Sequence, residues 1–220
     1  PLNAIAPTLS IVAPEVLGLC SDLEIDLSAS TGSGGRPWVV KFTVYESGNS
    51  SPDDALSNVL NNGTNSNPYI YPVRIDLQEY PNAEHPNAEW KVNVAYTIVV
   101  ELCNFMDLCS TGQAPTLITD QRVPSLSIGG SHIRYITRNQ GLSLTSFAEV
   151  KNCSGAASKA NIAYLWSVER NGIAYTQLTS SSKQDNIFKI LPFTLDTNVE
   201  YSFKLTALHT VSYEASSTNF

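Results

Sequence analysis

The segment Leu23-Glu24-Ile25-Asp26-Leu27 alternates apolar and acidic residues with a strict period of two. Because successive side chains of a strand point to opposite faces of a sheet, this pattern predicts a strand with one apolar and one solvated face. Similar short patterns occupy the rest of the first half of the chain, at residues 8–12, 38–45, 71–77, 90–102 and 116–119. We therefore predict an all-β structure for this half.

The strand series restarts near residue 124, where Pro124-Ser125-Leu126-Ser127-Ile128 resembles the earlier Pro7-Thr8-Leu9-Ser10-Ile11. Further candidate strands follow at residues 141–150, 161–169, 187–190, 200–208 and 211–215. Short strands with turns every 8–12 residues or so are typical of β-sandwiches of about 100 residues. We predict two tandem β-sandwich domains, residues 1–122 and 123–220.

A polar stretch from Glu46 to Pro68 interrupts the strand pattern. It is long for a structureless loop within a compact domain. We predict a short helix near Asp53-Asp54-Ala55-Leu56, with Ser51 as its N-cap and Pro52 at the first helical position.

Composition excludes several classes of partner. The formal net charge is −7, and the 13 Lys and Arg residues are scattered. A nucleic-acid-binding protein needs a basic face to displace counterions from phosphate, so we expect no nucleic acid partner. The same charge disfavours an anionic membrane surface, and no apolar run is long enough for a spanning helix. The chain starts at Pro1 rather than at an initiator Met or a signal peptide, which we interpret as a mature fragment or an internal piece.

The four cysteines, Cys20, Cys103, Cys109 and Cys153, form an even set without a C-x-x-C pair. Together with three dispersed histidines they offer no clustered zinc ligands, so we predict no metal and no cofactor. The alternatives are disulfides in an oxidising compartment or four free thiols in a reducing one.

Three glycosylation sequons, which begin at Asn49, Asn62 and Asn152, favour the oxidising compartment. The first two lie in the polar stretch, where a glycan has room. The third directly precedes Cys153, and a glycan there would crowd a disulfide, so we expect Asn152 to be the least used. A secreted or cell-surface location follows from the cysteines and the sequons together.

The segment Leu195-Asp196-Thr197-Asn198-Val199-Glu200-Tyr201 places a tyrosine six residues after a leucine, at the start of a predicted strand. It resembles the corner of fibronectin type III domains, in which the tyrosine hydroxyl bonds to backbone upstream of strand F. Trp90 and Tyr96 have the same spacing in the first half. The resemblance implies an immunoglobulin-like, fibronectin type III-like sandwich in each half.

Two further stretches resemble the receptor-for-egg-jelly (REJ) module of polycystin-type membrane proteins. The first runs from Cys20-Ser21-Asp22-Leu23 through Ser28-Ala29-Ser30-Thr31-Gly32-Ser33-Gly34-Gly35-Arg36-Pro37-Trp38. The second runs from Asn186-Ile187-Phe188 to Leu191-Pro192-Phe193-Thr194-Leu195. The resemblance implies tandem fibronectin-like sandwiches in a long extracellular region, and it carries no catalytic residues.

The sandwich topology selects one of the three pairings that four cysteines allow. Cys20 precedes strand B of the first domain, beside the junction, and Cys153 follows strand B of the second domain in a loop that points back toward the first. We therefore predict a Cys20–Cys153 disulfide across the interface. Cys103 and Cys109 lie in one F–G turn and should pair locally. An interdomain bridge would fix the angle between two domains that otherwise hinge.

The acidic row Asp22, Glu24 and Asp26 is a candidate cation site. Alternate residues on a strand lie about 7 Å apart, which is wide for one Ca²⁺ that needs several oxygens at about 2.3–2.6 Å. We favour a solvated sheet face, partly paired with Arg74 across the strands.

Catalysis is not expected. Nucleophilic catalysis needs Ser or Cys beside a His and an orienting acid, whereas this chain has no G-x-S-x-G motif and its His85 falls in a turn, where we expect it to be solvated. We predict a non-enzymatic structural and adhesive module of a larger cell-surface or filament protein. Its partners would be other extracellular proteins, glycans, or further domains of the same chain in self-assembly.

Carbohydrate binding through exposed aromatic residues is the alternative function. Trp38 and Trp166 fall in predicted strand C, where a core tryptophan is usual, and Trp90 precedes strand F at the corner. Tyr69 and Tyr71 flank the polar stretch and are therefore the best candidates for an exposed platform.

Overall fold

The computed structural model describes residues 5–65, 73–129, 134–154, 156–212 and 214–219. The chain divides into two compact units, the first with residues 1–121 and 152–155, the second with residues 122–151 and 156–220. Both units are β-sandwiches, so the predicted all-β class is confirmed. None of the described residues belongs to a helix with the length and hydrophobicity needed to cross a membrane.

The division differs from the ranges 1–122 and 123–220 at Arg122, which falls in the second unit, and at residues 152–155. Residues 152–155 group with the first unit, although the chain on both sides of them belongs to the second. Cys153 lies in this segment and is disulfide-bonded to Cys20, which accounts for the grouping.

The first unit forms two sheets. Its described elements are β1 (Val16–Gly18), β2 (Asp22–Ile25), β3 (Val39–Glu46), α1 (Asp54–Asn65), β4 (Val73–Asp76), β5 (Val94–Cys103) and β6 (Cys109–Thr119). One sheet has the order β1-β6-β5-β3, and β2 pairs with β4 in the other. β1 runs parallel to β6, and the remaining pairs are antiparallel.

The core of the first unit follows the period-two pattern. Leu23 and Ile25 are fully buried, and Leu27 is only 1% exposed, whereas the acidic residues between them are half-buried. On β5, the predicted inward residues Tyr96, Ile98 and Val100 are also buried. The alternation in the sequence therefore correctly predicts which face of each strand packs inward.

The second unit also forms two sheets. Its described elements are β7 (Ser125–Ile128), β8 (Leu142–Lys151), β9 (Ala157–Ser158), β10 (Ile162–Arg170), β11 (Ile173–Ala174), β12 (Ile187–Ile190), β13 (Tyr201–His209) and β14 (Glu214–Asn219). One sheet has the order β12-β8-β7, with β9 beside β8, and the other has the order β11-β10-β13-β14. The ring centroid of Phe188 lies 5.5 Å from those of Phe203 and Trp166, and these rings pack with aliphatic side chains in the core of the unit.

A tyrosine corner is present in each unit. The hydroxyl of Tyr96 accepts a hydrogen bond from the Lys91 N–H at 2.8 Å, and the hydroxyl of Tyr201 accepts one from the Asp196 N–H at 3.2 Å. In both cases the donor lies five residues upstream of the tyrosine, so the predicted corners are confirmed. Burial raises the pKa of the Tyr96 hydroxyl, which keeps it protonated.

The two corners share a short sequence repeat that the sequence analysis missed. Asn93-Val94-Ala95-Tyr96 matches Asn198-Val199-Glu200-Tyr201 at three of four positions. Both asparagines have left-handed backbone, with φ of 58° and 57°. Asn tolerates this conformation better than most residues, so the repeat encodes the turn as well as the tyrosine.

Helix α1 is longer than predicted, and its N-cap differs from the prediction. Asp53 rather than Ser51 caps it, because the Asp53 carboxylate accepts from the Leu56 N–H at 3.0 Å. Asp53 is held in extended backbone by a bridge to Val44, whose carbonyl accepts the Asp53 N–H at 2.8 Å. This tertiary bond moves the helix start beyond Pro52.

The helix covers the free edge of β3 with side chains. Ser57 Oγ accepts from the Val44 N–H at 2.9 Å, and Asn61 Oδ1 accepts from the Phe42 N–H at 2.8 Å. Asn61 Nδ2 also donates to the Phe42 carbonyl at 2.9 Å, so the amide pairs with Phe42 as a neighbouring strand would. An edge strand left open invites pairing with other chains, and α1 prevents this.

In the second unit, hydroxyl groups cover the edge of β12 in a similar way. Ser180 Oγ accepts from the Lys189 N–H at 3.0 Å and donates to the Ile187 carbonyl at 3.1 Å. The Ser181 N–H donates to the Lys189 carbonyl at 2.8 Å. Polar side chains therefore satisfy one strand edge in each unit.

Replacing Ser57 by Ala should destabilise the first unit. The change leaves the buried Val44 N–H without its acceptor, which costs about 2 kcal/mol in the free energy of unfolding. Urea unfolding of the full chain measures the loss. Asn58→Ala is the control, since Asn58 is the exposed polar neighbour on the same helix. Equal stability of the two variants would contradict the edge-covering role of Ser57.

Candidate functional site

The end of the β5–β6 hairpin is an exposed surface that a disulfide and a buried amide order from within. Cys103 and Cys109 face each other across the hairpin and form a disulfide, with their Cα atoms 4.0 Å apart. Residues 104–108 make the turn between them. We call the exposed side chains at this end the first-unit tip: Ile5, Arg36, Val39, Phe105 and Met106.

Asn104 holds the tip together from inside. Its side chain is 1% exposed. Oδ1 accepts from the Met106 N–H at 3.0 Å and from the Leu108 N–H at 3.3 Å, while Nδ2 donates to the Ile5 carbonyl at 3.1 Å and, more weakly, to the Gly32 carbonyl at 3.5 Å. One buried amide thus connects three segments: the F–G turn at residues 104–108, the loop between β2 and β3, which we call the B–C loop, and the segment before β1.

Phe105 packs on the B–C loop. The loop has left-handed backbone at Gly34, with φ of 65°, and a Cβ atom there would lie 2.7 Å from Phe105 Cε1. Arg36 lies over the Phe105 ring, with its guanidinium carbon 4.7 Å from the centroid. This cation–π contact holds a positive charge beside an exposed aromatic face.

The tip is apolar and exposed. Phe105 is 47% exposed, Met106 45%, Val39 63% and Ile5 77%. Exposed apolar residues grouped with an arginine are typical of protein interaction surfaces, where Phe, Met and Arg are enriched. The arrangement is suited to binding a partner through apolar contacts.

Of the predicted site residues, the cysteines are all in disulfides. Cys20 is bonded to Cys153, with a Cα–Cα distance of 4.8 Å, and Cys103 to Cys109, so the described chain has no free thiol. Ligand atoms of Glu101, Cys103 and Cys109 lie within 4.8 Å of one another. The disulfide removes both thiolates, so this grouping lacks the donors that a metal ion would need.

The acidic row is half-buried rather than fully solvated, and one of its members pairs with Arg74. Glu24 is the cross-strand partner of Arg74, and its carboxylate lies 2.7 Å from the guanidinium. Asp22 stands opposite Asp76 on the neighbouring strand, and Asp26 is bridged through its backbone to Val12. The predicted pairing with Arg74 is confirmed.

The described tryptophans do not form a platform for carbohydrate. Trp90 is 3% exposed and packs edge-on against Tyr96. Trp38 and Trp166 are half-buried against the two cores, less deeply than predicted, and Trp166 Nε1 donates to the Asp185 carbonyl at 2.8 Å. Tyr69 and Tyr71 lie outside the described residues.

The histidines have local structural partners. His85 was expected to be solvated, but it is half-buried, with Nε2 3.3 Å from Asn62 Nδ2 and its ring against Tyr80. His209 Nδ1 lies 2.7 Å from Ser212 Oγ across the turn after β13. His132 lies outside the described residues.

The sequon asparagines differ in their surroundings. Asn49 is exposed in a turn, and Asn62 is exposed on α1. At Asn152, Oδ1 accepts from both the N–H and the Oγ of Ser154, next to the Cys20–Cys153 disulfide.

Sequence reasoning missed the residues of the tip. Between Cys103 and Cys109 the chain reads Asn-Phe-Met-Asp-Leu, which places three large apolar residues in a predicted tight turn. Apolar residues in a disulfide-closed turn cannot reach a core, and this mismatch was the available signal.

Comparison with known proteins does not identify a family. No protein-family model matches the chain, and no curated protein matches it. Among solved structures, it is similar to the FN1–FN3 domains of chicken CNTN1, with 11% sequence identity and a TM-score of 0.32. The match covers 99% of this chain and 64% of the CNTN1 chain. It is also similar to SGBP-B of the Bacteroides ovatus mixed-linkage glucan utilization locus, in complex with a mixed-linkage heptasaccharide, with 11% identity, 96% and 66% covered, and a TM-score of 0.29. The chain spans less than two thirds of either structure.

Replacing Asn104 by Asp should unfold the tip. The new carboxylate would face the carbonyls of Ile5 and Gly32 without a proton to donate, which costs about 3 kcal/mol. Urea unfolding followed by tryptophan fluorescence measures the change. Asn82→Asp is the matched control, because the bonds of Asn82 Oδ1 to the N–H groups of Glu84 and His85 survive the substitution. A tolerated Asn104→Asp would contradict the organising role of this amide.

Proposed function

We propose that the chain is a non-catalytic extracellular module with structural and adhesive roles, belonging to a larger cell-surface or filament protein of the REJ type. The observation that carries this proposal is the Cys20–Cys153 disulfide, which joins two chain positions 133 residues apart. Disulfides persist in oxidising compartments, which supports an extracellular location.

The structural role rests on this covalent link. Cys153 lies between β8 and β9 of the second unit, yet its sulfur is bonded to a residue just before β2 of the first. A second covalent connection, in addition to the peptide chain near residue 122, restricts the relative motion of the two units. The pair would then transmit force as one piece, as a spacer in a surface protein or filament requires.

The adhesive role rests on the first-unit tip. The disulfide at its base and the buried Asn104 amide order the turn before any partner binds. Pre-ordering reduces the conformational entropy lost on binding, so a small apolar surface gains affinity. The tip therefore fits a protein partner with an apolar pocket.

Removing the Cys20–Cys153 link should loosen the two units. For the Cys20→Ser, Cys153→Ser double variant, we expect small-angle X-ray scattering to give a broader distribution of intramolecular distances than the wild type does. The Cys103→Ser, Cys109→Ser double variant is the control, because it removes a disulfide that lies within one hairpin. Identical scattering from the first variant and the wild type would refute the mechanical role.

Glycan occupancy should follow local access. In protein secreted from a eukaryotic host, we expect glycans on Asn49 most often, on Asn62 less often, and on Asn152 least. The Asn152 amide is bonded to Ser154 and adjoins the disulfide, which hinders the transferase. Enzymatic deglycosylation in water labelled with oxygen-18, followed by peptide mapping, measures the occupancy of each site. Full occupancy of Asn152 would show that this bond does not protect the site.

A further inference from the structure

Formal charge is divided unequally between the two units. The first unit contains four Lys and Arg against fourteen Asp and Glu, a formal charge of −10. The second contains nine against six, a formal charge of +3. The net charge of −7 is therefore the sum of one strongly acidic unit and one weakly basic unit. Two copies of the chain attract each other best when the first unit of one meets the second unit of the other.

The second unit has its own exposed apolar end. Its members lie in the A–B segment before β8 and in the E–F segment after β12, and we call them the second-unit base: Tyr135, Ile136, Leu191 and Phe193. Tyr135 is 98% exposed, Phe193 65% and Leu191 57%. The two segments touch, because the Phe193 N–H donates to the Arg138 carbonyl at 2.7 Å.

The backbone at Phe193 is strained. Its φ is 65°, in the left-handed region that a bulky aromatic residue rarely adopts. Strain of this kind persists where surrounding contacts impose it, and it concentrates at functional positions. Here it presents an aromatic residue that is 65% exposed to solvent. A partner that covers Phe193 would explain why the sequence keeps it there.

Each apolar end lies away from the peptide connection within its own unit. In the first unit, β6 runs from Cys109 at the tip to Thr119, beyond which the chain leaves the unit. In the second unit, β7 enters at Ser125, and the A–B segment begins only at the far end of this strand, after Ile128. The connection near residue 122 therefore starts from the opposite end of each sandwich.

The base carries more positive charge than the tip does. The exposed Asp107 belongs to the turn that carries Phe105 and Met106, whereas exposed Arg134 and Arg138 belong to the A–B segment of the base. At the tip itself Arg36 offsets Asp107, so the electrostatic attraction between copies rests on the formal charges of the whole units, −10 and +3.

We propose that the first-unit tip of one copy binds the second-unit base of another copy, so that the chain associates head to tail. This inference rests on the adhesive role proposed above and names its partner. Such a contact uses two different surfaces, so a bound pair retains one free tip and one free base. Further copies add at both ends, and the product is an open filament unless the ends meet in a ring.

Sedimentation velocity of the full chain over a range of concentrations tests the proposal. We expect the wild type to form dimers and longer species whose proportion rises with protein concentration. Phe105→Ala and Phe193→Ala should each weaken association at least about tenfold, the effect of a hot-spot residue. Phe147→Ala is the control, because Phe147 is a 56% exposed phenylalanine on a sheet face outside both ends.

Mixing the two variants gives the decisive result. Phe105→Ala keeps an intact base and Phe193→Ala keeps an intact tip, so the mixture should form one-to-one dimers that cannot grow. A mixture that stays monomeric, or a wild type that is monomeric at the highest soluble concentration, would overturn the proposal.

Circular dichroism confirms that each variant is folded, and Arg138→Glu tests the base without altering Phe193. A monomeric wild type would leave the scattering result on Cys20–Cys153 unaffected, so failure of self-association and failure of the structural role are distinguishable.

Discussion

A hydrogen bond from a backbone N–H to a tyrosine hydroxyl organises both units. Tyr96 is the third residue of β5 and Tyr201 the first of β13, the strands that follow the crossing between sheets, and each is bonded to the residue five positions earlier. In the first unit, this strand continues as β5 to Cys103 and so carries the tip. In the second unit, the corner ends the segment in which Phe193 stands. Both exposed apolar ends therefore depend on where these two corners fix the chain.

The sequence predicted those parts of the structure that local patterns encode. Alternation identified the buried faces of β2 and β5, and the spacing of Leu195 and Tyr201 identified a corner. It failed where a distant contact decides the local outcome. Asp53 caps α1 because Val44, on another element, fixes its backbone. Residues 152–155 leave the second unit because of a bond to Cys20.

The tip was missed for a different reason. Hydrophobic patterns assign apolar residues to a core, and they cannot tell a residue that is buried from one that a constrained turn holds in solvent. Phe105 is exposed because the disulfide and the Asn104 amide fix the turn around it, and both constraints act through space. The charge division, by contrast, can be read from the sequence once a boundary near residue 122 is known. The charge division suggests a contact between copies only when the exposed apolar ends of the two units are known.

The cover that α1 places on β3 has a geometric limit. Four residues of helix advance about 6 Å and two residues of strand advance about 6.6 Å, so Ser57 and Asn61 fall in register with Val44 and Phe42. A four-residue step also turns the helix about 40° beyond a full rotation, since a turn takes about 3.6 residues. The two periods drift apart quickly, and one more step would point the side chain away from the strand. Side chains of a helix can therefore hydrogen-bond the edge of a strand over a short span only. A longer strand at this position would have backbone groups that the helix cannot reach.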